Sequence, residues 1–173
     1  MEKDFTVFTL GHSTRTFDNF IKILQDHKVQ TLVDVRTIPK SRHNPQYNQS
    51  ELKKHLAENK IEYLHMKSLG GLRHTTKDSI NMGWRNSSFR GFADYMQSSE
   101  FEKSIDQLIY VGKESRSAIM CSEAVPWRCH RSLIGDALIV RNIRVEDIIS
   151  EKSVKPHELT GFAKVDGLKI TYP

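Results

Sequence analysis

The stretch Ser117–Leu138 constrains the fold more than any other part of the sequence. It begins with a short apolar run, Ala118–Met120, which is typical of a buried strand, and a polar loop then turns at Pro126. From Arg131 onward, an amphipathic helix is predicted by apolar residues at helical spacing, namely Leu133, Ile134, Ala137 and Leu138. A strand, a polar loop and a helix start in this order indicate an α/β sheet that binds ligands at the carboxyl ends of its strands.

The same alternation of strands and helices runs along the rest of the chain. Apolar patterns predict further strands at residues 6–10, 31–35, 62–66 and 144–149, and helices are predicted after Thr16, Ser50, Ser88 and Ser99. Near the C-terminus, residues 161–172 predict a hairpin with a two-residue Asp166–Gly167 turn. We therefore expect a single three-layer α/β domain spanning residues 1–173. Its sheet should be mainly parallel with helices on both faces, followed by a C-terminal β-hairpin.

Several short motifs are spread over nearly the whole chain. They are Leu10–Ser13, Asp34–Arg36, Ser41–Pro45, Leu69–Gly71, Gly83–Asn86, Phe89–Met96, Cys121–Arg131 and the tail from Leu159 to Pro173. In these motifs the sequence resembles family 488 of the domains of unknown function, a group of small bacterial and archaeal proteins. The resemblance implies one α/β domain and draws attention to the motif residues. It implies no reaction, because no activity is established for the family.

Length and composition exclude several classes of protein. A chain of 173 residues with 38% hydrophobic residues can bury a core without disulfides. No apolar run is long enough to cross a membrane, so we expect no membrane partner. Two cysteines and the absence of a signal peptide favour a reducing compartment, and we predict a cytoplasmic protein. The net charge of +5 is compatible with an anionic partner and equally with an ordinary basic surface.

Polar residues stand at the ends of successive predicted strands. Because the carboxyl ends of parallel strands meet at one edge of a sheet, these residues are expected to converge in space. They are His12, Ser13, Asp34, Arg36, His65, Cys121 and Glu123. Their convergence predicts a ligand or catalytic site, and the alternative is a polar network that closes one end of the sheet.

Cys129 is the stronger candidate for a reactive thiol. It precedes a predicted helix and stands among Arg128, His130 and Arg131, and a helix N-terminus and nearby cations both favour the thiolate. The alternative is a small buried residue under the helix. A redox-sensitive bridge to Cys121 is compatible with the eight-residue spacing, but a reducing compartment disfavours a constitutive one. Both cysteines and His130 are allowed zinc ligands, yet their spacing lacks the pairs of structural zinc sites, so we predict no metal and no cofactor.

Arginines near the same edge indicate an anion. Guanidinium groups bind phosphate or carboxylate in a bidentate manner, although each arginine here has an internal alternative such as Asp34 or Glu123. Three aromatic residues, Trp127, Trp84 and Tyr47, can stack on a nucleobase or simply pack. We therefore expect an enzyme that acts on a phosphate-bearing substrate, a nucleotide or a nucleic acid. The alternatives are a non-catalytic module that binds the same ligands and a scaffold whose polar edge is structural.

The candidate residues for this function fall into two groups. The catalytic candidates, for thiol or acid–base chemistry, are Cys129, His130, Glu123 and Cys121. The substrate-binding candidates are His12, Ser13, Arg36, Arg42, Arg128 and Arg131.

Overall fold

The computed structural model describes residues 4–173, which form a six-stranded sheet covered by helices on both faces and a two-stranded hairpin. The strands are β1 (Thr6–Gly11), β2 (Thr31–Asp34), β3 (Glu62–His65), β4 (Ser117–Cys121), β5 (Arg144–Ser150), β6 (Ser153–Pro156), β7 (Lys164–Asp166) and β8 (Lys169–Thr171). The helices are α1 (Phe17–Asp26), α2 (Gln49–Glu58), α3 (Ser87–Tyr95), α4 (Ser99–Glu114) and α5 (Arg131–Ile139). Strand order in the sheet is β3-β2-β4-β1-β5-β6, with only β6 antiparallel to its neighbour. The predicted fold class is confirmed.

Each face of the sheet has its own apolar core, because successive side chains of a strand point to opposite faces. Phe8 of β1 and Met120 of β4 belong to the cluster under α1 and α2, which also contains Phe20. Val7 and Ile119 belong to the cluster under α3, α4 and α5. The continuous apolar character of β4 follows from this position, since its five residues are all buried.

Parallel pairing brings the ends of β1, β2 and β4 to one edge of the sheet. Gly11 is in register with Cys121, and Asp34 with Met120. The loops that follow these strands are hydrogen-bonded to each other, since the main-chain N–H of His12 donates to Cys121 O over 2.9 Å. Gly11 has to be a glycine, because a Cβ atom there would lie 1.5 Å from the carbonyl oxygen of Glu123.

Helix α5 is buried on every side, so the prediction that it is amphipathic is wrong. All residues from Arg131 to Leu138 are buried. The C-terminal segment covers the face that was expected to be exposed. Tyr172 donates its hydroxyl to Asp136 Oδ2 over 2.8 Å, and His157 contacts Asp136 Oδ1 over 3.0 Å. Arg131 and Asp136 must therefore find their partners inside the protein.

The structure corrects several element boundaries. Asn48 and Asn86, not Ser50 and Ser88, occupy the N-cap positions of α2 and α3, and the Asn86 side chain accepts hydrogen bonds from two main-chain N–H groups. Edge strand β6 was not predicted. The hairpin turn is Gly167–Leu168, one residue later than expected, because Asp166 pairs with Lys169 and the positive φ of 62° falls on Gly167.

The long connection between β3 and α3 is held by one carboxylate. Asp94 of α3 accepts hydrogen bonds from the hydroxyl groups of Thr75 and Ser79 and from the side-chain amide of Asn81. Although partial burial opposes it, these bonds lower the pKa of Asp94 below its ordinary value. None of the helices in residues 4–173 is both long and apolar enough to cross a membrane.

Candidate functional site

A cleft of about 380 Å³ opens at the carboxyl ends of β2 and β4. We call it the thiol cleft, because Cys121 and Cys129 both line it. Its other walls come from the loop after β2, from Gly71–Leu72, from the start of α3 and from the segment that leads into α5. Of the residues predicted for the site, those that line the cleft are Cys121, Cys129, His130, Glu123, Arg36 and Arg128.

The two cysteines reach the cleft from opposite ends of one loop. Cys121 ends β4, and Cys129 follows a 3-10 turn, Pro126–Arg128, to which its main-chain N–H is bonded. Their Cα atoms are 7.3 Å apart, and their sulfur atoms are joined as a disulfide. Both side chains are buried, with 3% of Cys121 and 5% of Cys129 exposed. The structure thus brings the two sulfur atoms together, as the eight-residue spacing allowed, and a reactive thiol requires the bridge between them to be reduced.

The imidazole of His130 is fixed in one orientation. Its Nε2 atom lies 3.0 Å from the carbonyl oxygen of Val35 and 2.9 Å from that of Leu69. Because carbonyl oxygens only accept hydrogen bonds, Nε2 must carry the ring proton. Nδ1 is left as an acceptor, 3.5 Å from the Cys129 sulfur. Burial lowers the pKa of His130 to about 4, so the ring is neutral near pH 7. Gly71 permits this packing, because a Cβ atom there would lie 2.6 Å from Nδ1.

The start of α5 also acts on the Cys129 sulfur. The main-chain N–H of Arg131 points at this sulfur, with the nitrogen 3.4 Å away. A peptide N–H at a helix start favours negative charge on the atom it faces. In the reduced protein, the Cys129 thiol therefore has His130 Nδ1 as a proton acceptor, and its thiolate has the Arg131 N–H as a hydrogen-bond donor.

Arg131, predicted to bind substrate, instead lies completely buried beneath the cleft. Its guanidinium donates to the carbonyl oxygen of Glu123 over 2.8 Å and to the hydroxyl of Thr9 over 3.3 Å. Burial lowers the pKa of Arg131 to about 10, which still leaves it charged at neutral pH. Its role in this arrangement is to hold the main chain at Glu123, so that the Glu123 carboxylate stays at the cleft.

Arg36 is also engaged internally. It makes a bidentate ion pair with Asp34, with Nε–Oδ1 and Nη2–Oδ2 distances of 2.9 and 2.8 Å, and Nη2 also donates to Tyr47 O. Only 6% of Arg36 and none of Asp34 is exposed. Of the two outcomes foreseen for this arginine, internal pairing with Asp34 is the one observed.

His12 and Ser13 lie beside the thiol cleft without lining it. His12 is buried and stacks on the ring of Tyr47, with a centroid distance of 4.3 Å. Burial lowers its pKa to about 4. Ser13 adopts a positive φ of 47°, and its N–H donates to Ser122 O over 2.9 Å. Tyr47, considered for base stacking, has no exposed surface and serves as packing.

Of the cations that face the thiol cleft freely, one was predicted for the site and one was not. Arg128 and Lys40 are exposed and line it, and within residues 4–173 neither side chain has a hydrogen-bond or ion-pair partner. Arg42 is exposed and does not line the thiol cleft. Lys40 was not among the predicted site residues. Its place in the polar loop after β2 was the only sign in the sequence.

A second, larger cleft of about 660 Å³ lies across the Pro126–Arg128 turn, and we call it the aromatic cleft. Its apolar lining includes Trp84, Trp127, Leu159 and Phe162. At its floor, His157 bridges two buried carboxylates, 2.7 Å from Asp147 Oδ2 and 3.0 Å from Asp136 Oδ1. Although burial opposes the charge, these bonds raise the pKa of His157 to about 9. The sequence drew no attention to His157, because its partners are distant along the chain.

Residues 4–173 contain no group of three or more histidine, cysteine, aspartate or glutamate side chains placed to hold an ion.

Comparison with known sequences places the chain in one family. The family described as "Domain of unknown function DUF488" matches residues 16–138, a range that contains α1 through most of α5 and nearly all of the thiol cleft. No curated protein and no solved structure matches the chain.

Replacing Arg36 is predicted to damage stability. In Arg36→Ala, the buried carboxylate of Asp34 loses its ion-pair partner, and the free energy of unfolding should fall by about 3–5 kcal/mol. Arg42→Ala removes an exposed arginine and should change it by less than about 0.5 kcal/mol. Urea unfolding of the two variants beside the wild type makes the comparison. Equal stability of Arg36→Ala and Arg42→Ala would contradict the ion pair seen here.

The buried histidines predict that stability is greatest near pH 6.5. His12 and His130 have pKa values of about 4 in the fold, so stability should decline as pH falls from 6.5 towards 4, where unfolding takes up protons. His157 has a pKa of about 9 in the fold, so its contribution to the free energy of unfolding is complete below pH 6.5 and is lost as pH rises through 9.

Unfolding free energies measured across this range should decline by a few kcal/mol on each side. His157→Gln should flatten the alkaline decline, whereas the exposed His43→Gln should leave the whole profile as it is. An alkaline decline that persists unchanged in His157→Gln would contradict the assignment.

Proposed function

We propose that this member of the DUF488 family, whose description assigns no function, is an enzyme that acts on a phosphate-bearing substrate. The substrate is a nucleotide or a nucleic acid bound in the thiol cleft. Reduced Cys129 is the nucleophile, and His130 accepts its proton at Nδ1. Cys121 is the second thiol of a redox pair, and Glu123 is a further acid–base candidate.

One observation carries the proposal, namely the surroundings of the Cys129 sulfur. His130 Nδ1 lies 3.5 Å from it, and two main-chain carbonyls prevent this nitrogen from holding the ring proton. An unprotonated imidazole nitrogen next to a thiol can accept its proton. Because burial lowers the pKa of His130 to about 4, the ring is a weak base, and the proton has to move as the sulfur attacks. The Arg131 N–H at 3.4 Å stabilises the resulting anion.

Arg128 and Lys40 support the choice of an anionic substrate. Both are exposed, both line the cleft that holds the cysteines, and a chain of net charge +5 attracts anions to such a site. Arg128 can bind phosphate through two parallel hydrogen bonds. In this proposal Arg128 keeps the substrate-binding role predicted for it, and Lys40 takes the role first expected of Arg36 and Arg131, while His12, Ser13 and Arg42 bind no substrate directly. A reactive dithiol also suits the reducing cytoplasm, which we propose as the location.

The burial of both sulfur atoms favours a second candidate. With at most 5% of either cysteine exposed, the pair can serve as a structural bridge under a cationic surface. The protein would then bind a nucleotide or nucleic acid without turnover.

Alkylation of the reduced protein tests the proposal. Cys129 should react with iodoacetamide faster than Cys121, and His130→Gln should slow its reaction. Inorganic phosphate or a nucleoside monophosphate should protect Cys129. Loss of Arg128 or Lys40 should weaken this protection by roughly 1.5–3 kcal/mol of binding free energy per contact.

Peptide mass spectrometry gives the rate at each cysteine. Arg42→Gln is the matched control, because it removes an exposed arginine that lines neither cleft, and it should retain protection. If both thiols react equally slowly and no phosphate compound protects them, the enzyme proposal fails. Binding of nucleotides without a reactive thiol supports the binding module instead.

A further inference from the structure

One short turn separates the thiol cleft from the aromatic cleft. In the 3-10 turn Pro126–Arg128, the side chain of Trp127 lines the aromatic cleft and that of Arg128 lines the thiol cleft. The turn is held at both ends, because the N–H of Arg128 donates to Val125 O over 3.2 Å and that of Cys129 to Pro126 O over 3.0 Å. An aromatic residue and an arginine are therefore neighbours on one hydrogen-bonded turn, each lining a different cleft.

The two tryptophans of the aromatic cleft differ in what holds them. Trp84 is half-buried, with its ring centroid 5.2 Å from that of Phe89 and 4.9 Å from that of Phe162 in edge-on contacts. Trp127 makes no ring contact within residues 4–173, and 60% of it is exposed. Its large apolar face is thus available to a ligand, next to the partly exposed Phe162.

The charges in the aromatic cleft do not favour an anion. The His157 cation at its floor is matched by Asp136 and Asp147, and the two side chains Lys155 and Glu158 on its wall have opposite signs. Its volume lies in the range typical of small-molecule sites. A flat, uncharged ring suits this cleft, whereas phosphate suits Arg128 and Lys40 across the turn.

We propose that the aromatic cleft is a base-binding subsite. A nucleotide unit of the substrate lies across the Pro126–Arg128 turn, with its base stacked on Trp127 and its phosphate at Arg128. This inference rests on the proposed function and narrows the substrate from any phosphate compound to one that carries a nucleobase. Stacking on an exposed aromatic ring accepts any base, so the subsite selects for the presence of a base over its identity.

Pairs of ligands with and without a base test the base-binding subsite separately from the phosphate site. A nucleoside monophosphate is compared with ribose phosphate, and a short single-stranded DNA with an abasic strand of equal length. The base-containing member of each pair should bind about 5- to 150-fold more tightly, the range expected for stacking of one base. Trp127→Ala should remove this preference and leave the affinity for the abasic ligands unchanged. Tyr110→Ala, which removes an exposed aromatic of α4 that lines neither cleft, should keep the preference.

Tighter binding of the base-containing ligand in either pair supports the base-binding subsite. A preference in the first pair identifies the ligand as a free nucleotide, and a preference in the second pair identifies it as a strand. If each pair binds equally in the wild type, the base-binding subsite is wrong while a phosphate site remains. If the preference exists but persists in Trp127→Ala, the base lies elsewhere and the inference also fails. If no phosphate compound binds at all, the proposed function fails with it.

Discussion

The imidazole of His130 joins three segments that are far apart in sequence. Its Nε2–H is shared between the carbonyl oxygens of Val35, after β2, and Leu69, after β3, while its main chain begins α5. Because the donor is used in this way, the opposite nitrogen has to be an acceptor, and it faces Cys129. The two hydrogen bonds that tie His130 to the loops after β2 and β3 therefore also determine its tautomer. Gly71 is needed for the ring to fit.

At the carboxyl ends of the strands, burial decides which cations pair with protein groups and which stay free for a ligand. Two buried arginines use protein acceptors: Arg36 donates to Asp34, and the two terminal nitrogens of Arg131 donate to Thr9 and to the Glu123 carbonyl. Such groups are costly to bury and destabilising to break, so they hold the loops in place. The cations left for a ligand are those on exposed loops. The buried arginines therefore hold the loops in place, while the exposed cations on these loops are free to bind an anion.

Strand ends were predictable from the sequence, whereas the partners of their side chains were not. Apolar runs located β1, β2, β3 and β4, and parallel pairing then required their ends to meet. Asp34 ends β2 and Arg36 follows two residues later, so their pairing could be foreseen as an alternative. The contacts of His157 with Asp136 and Asp147 depend on how the C-terminal segment packs over α5, which no local pattern encodes.

His130 presents an unprotonated Nδ1 to the Cys129 thiol. Nitrogen-15 NMR of the reduced protein, labelled at histidine, measures this directly. At pH 7 we expect a neutral ring with the proton on Nε2, and an Nδ1 shift that changes in Cys129→Ala, where the hydrogen-bond donor is lost. A proton on Nδ1 at that pH, or an Nδ1 shift unaffected by removal of the thiol, would show that His130 does not accept a hydrogen bond from Cys129.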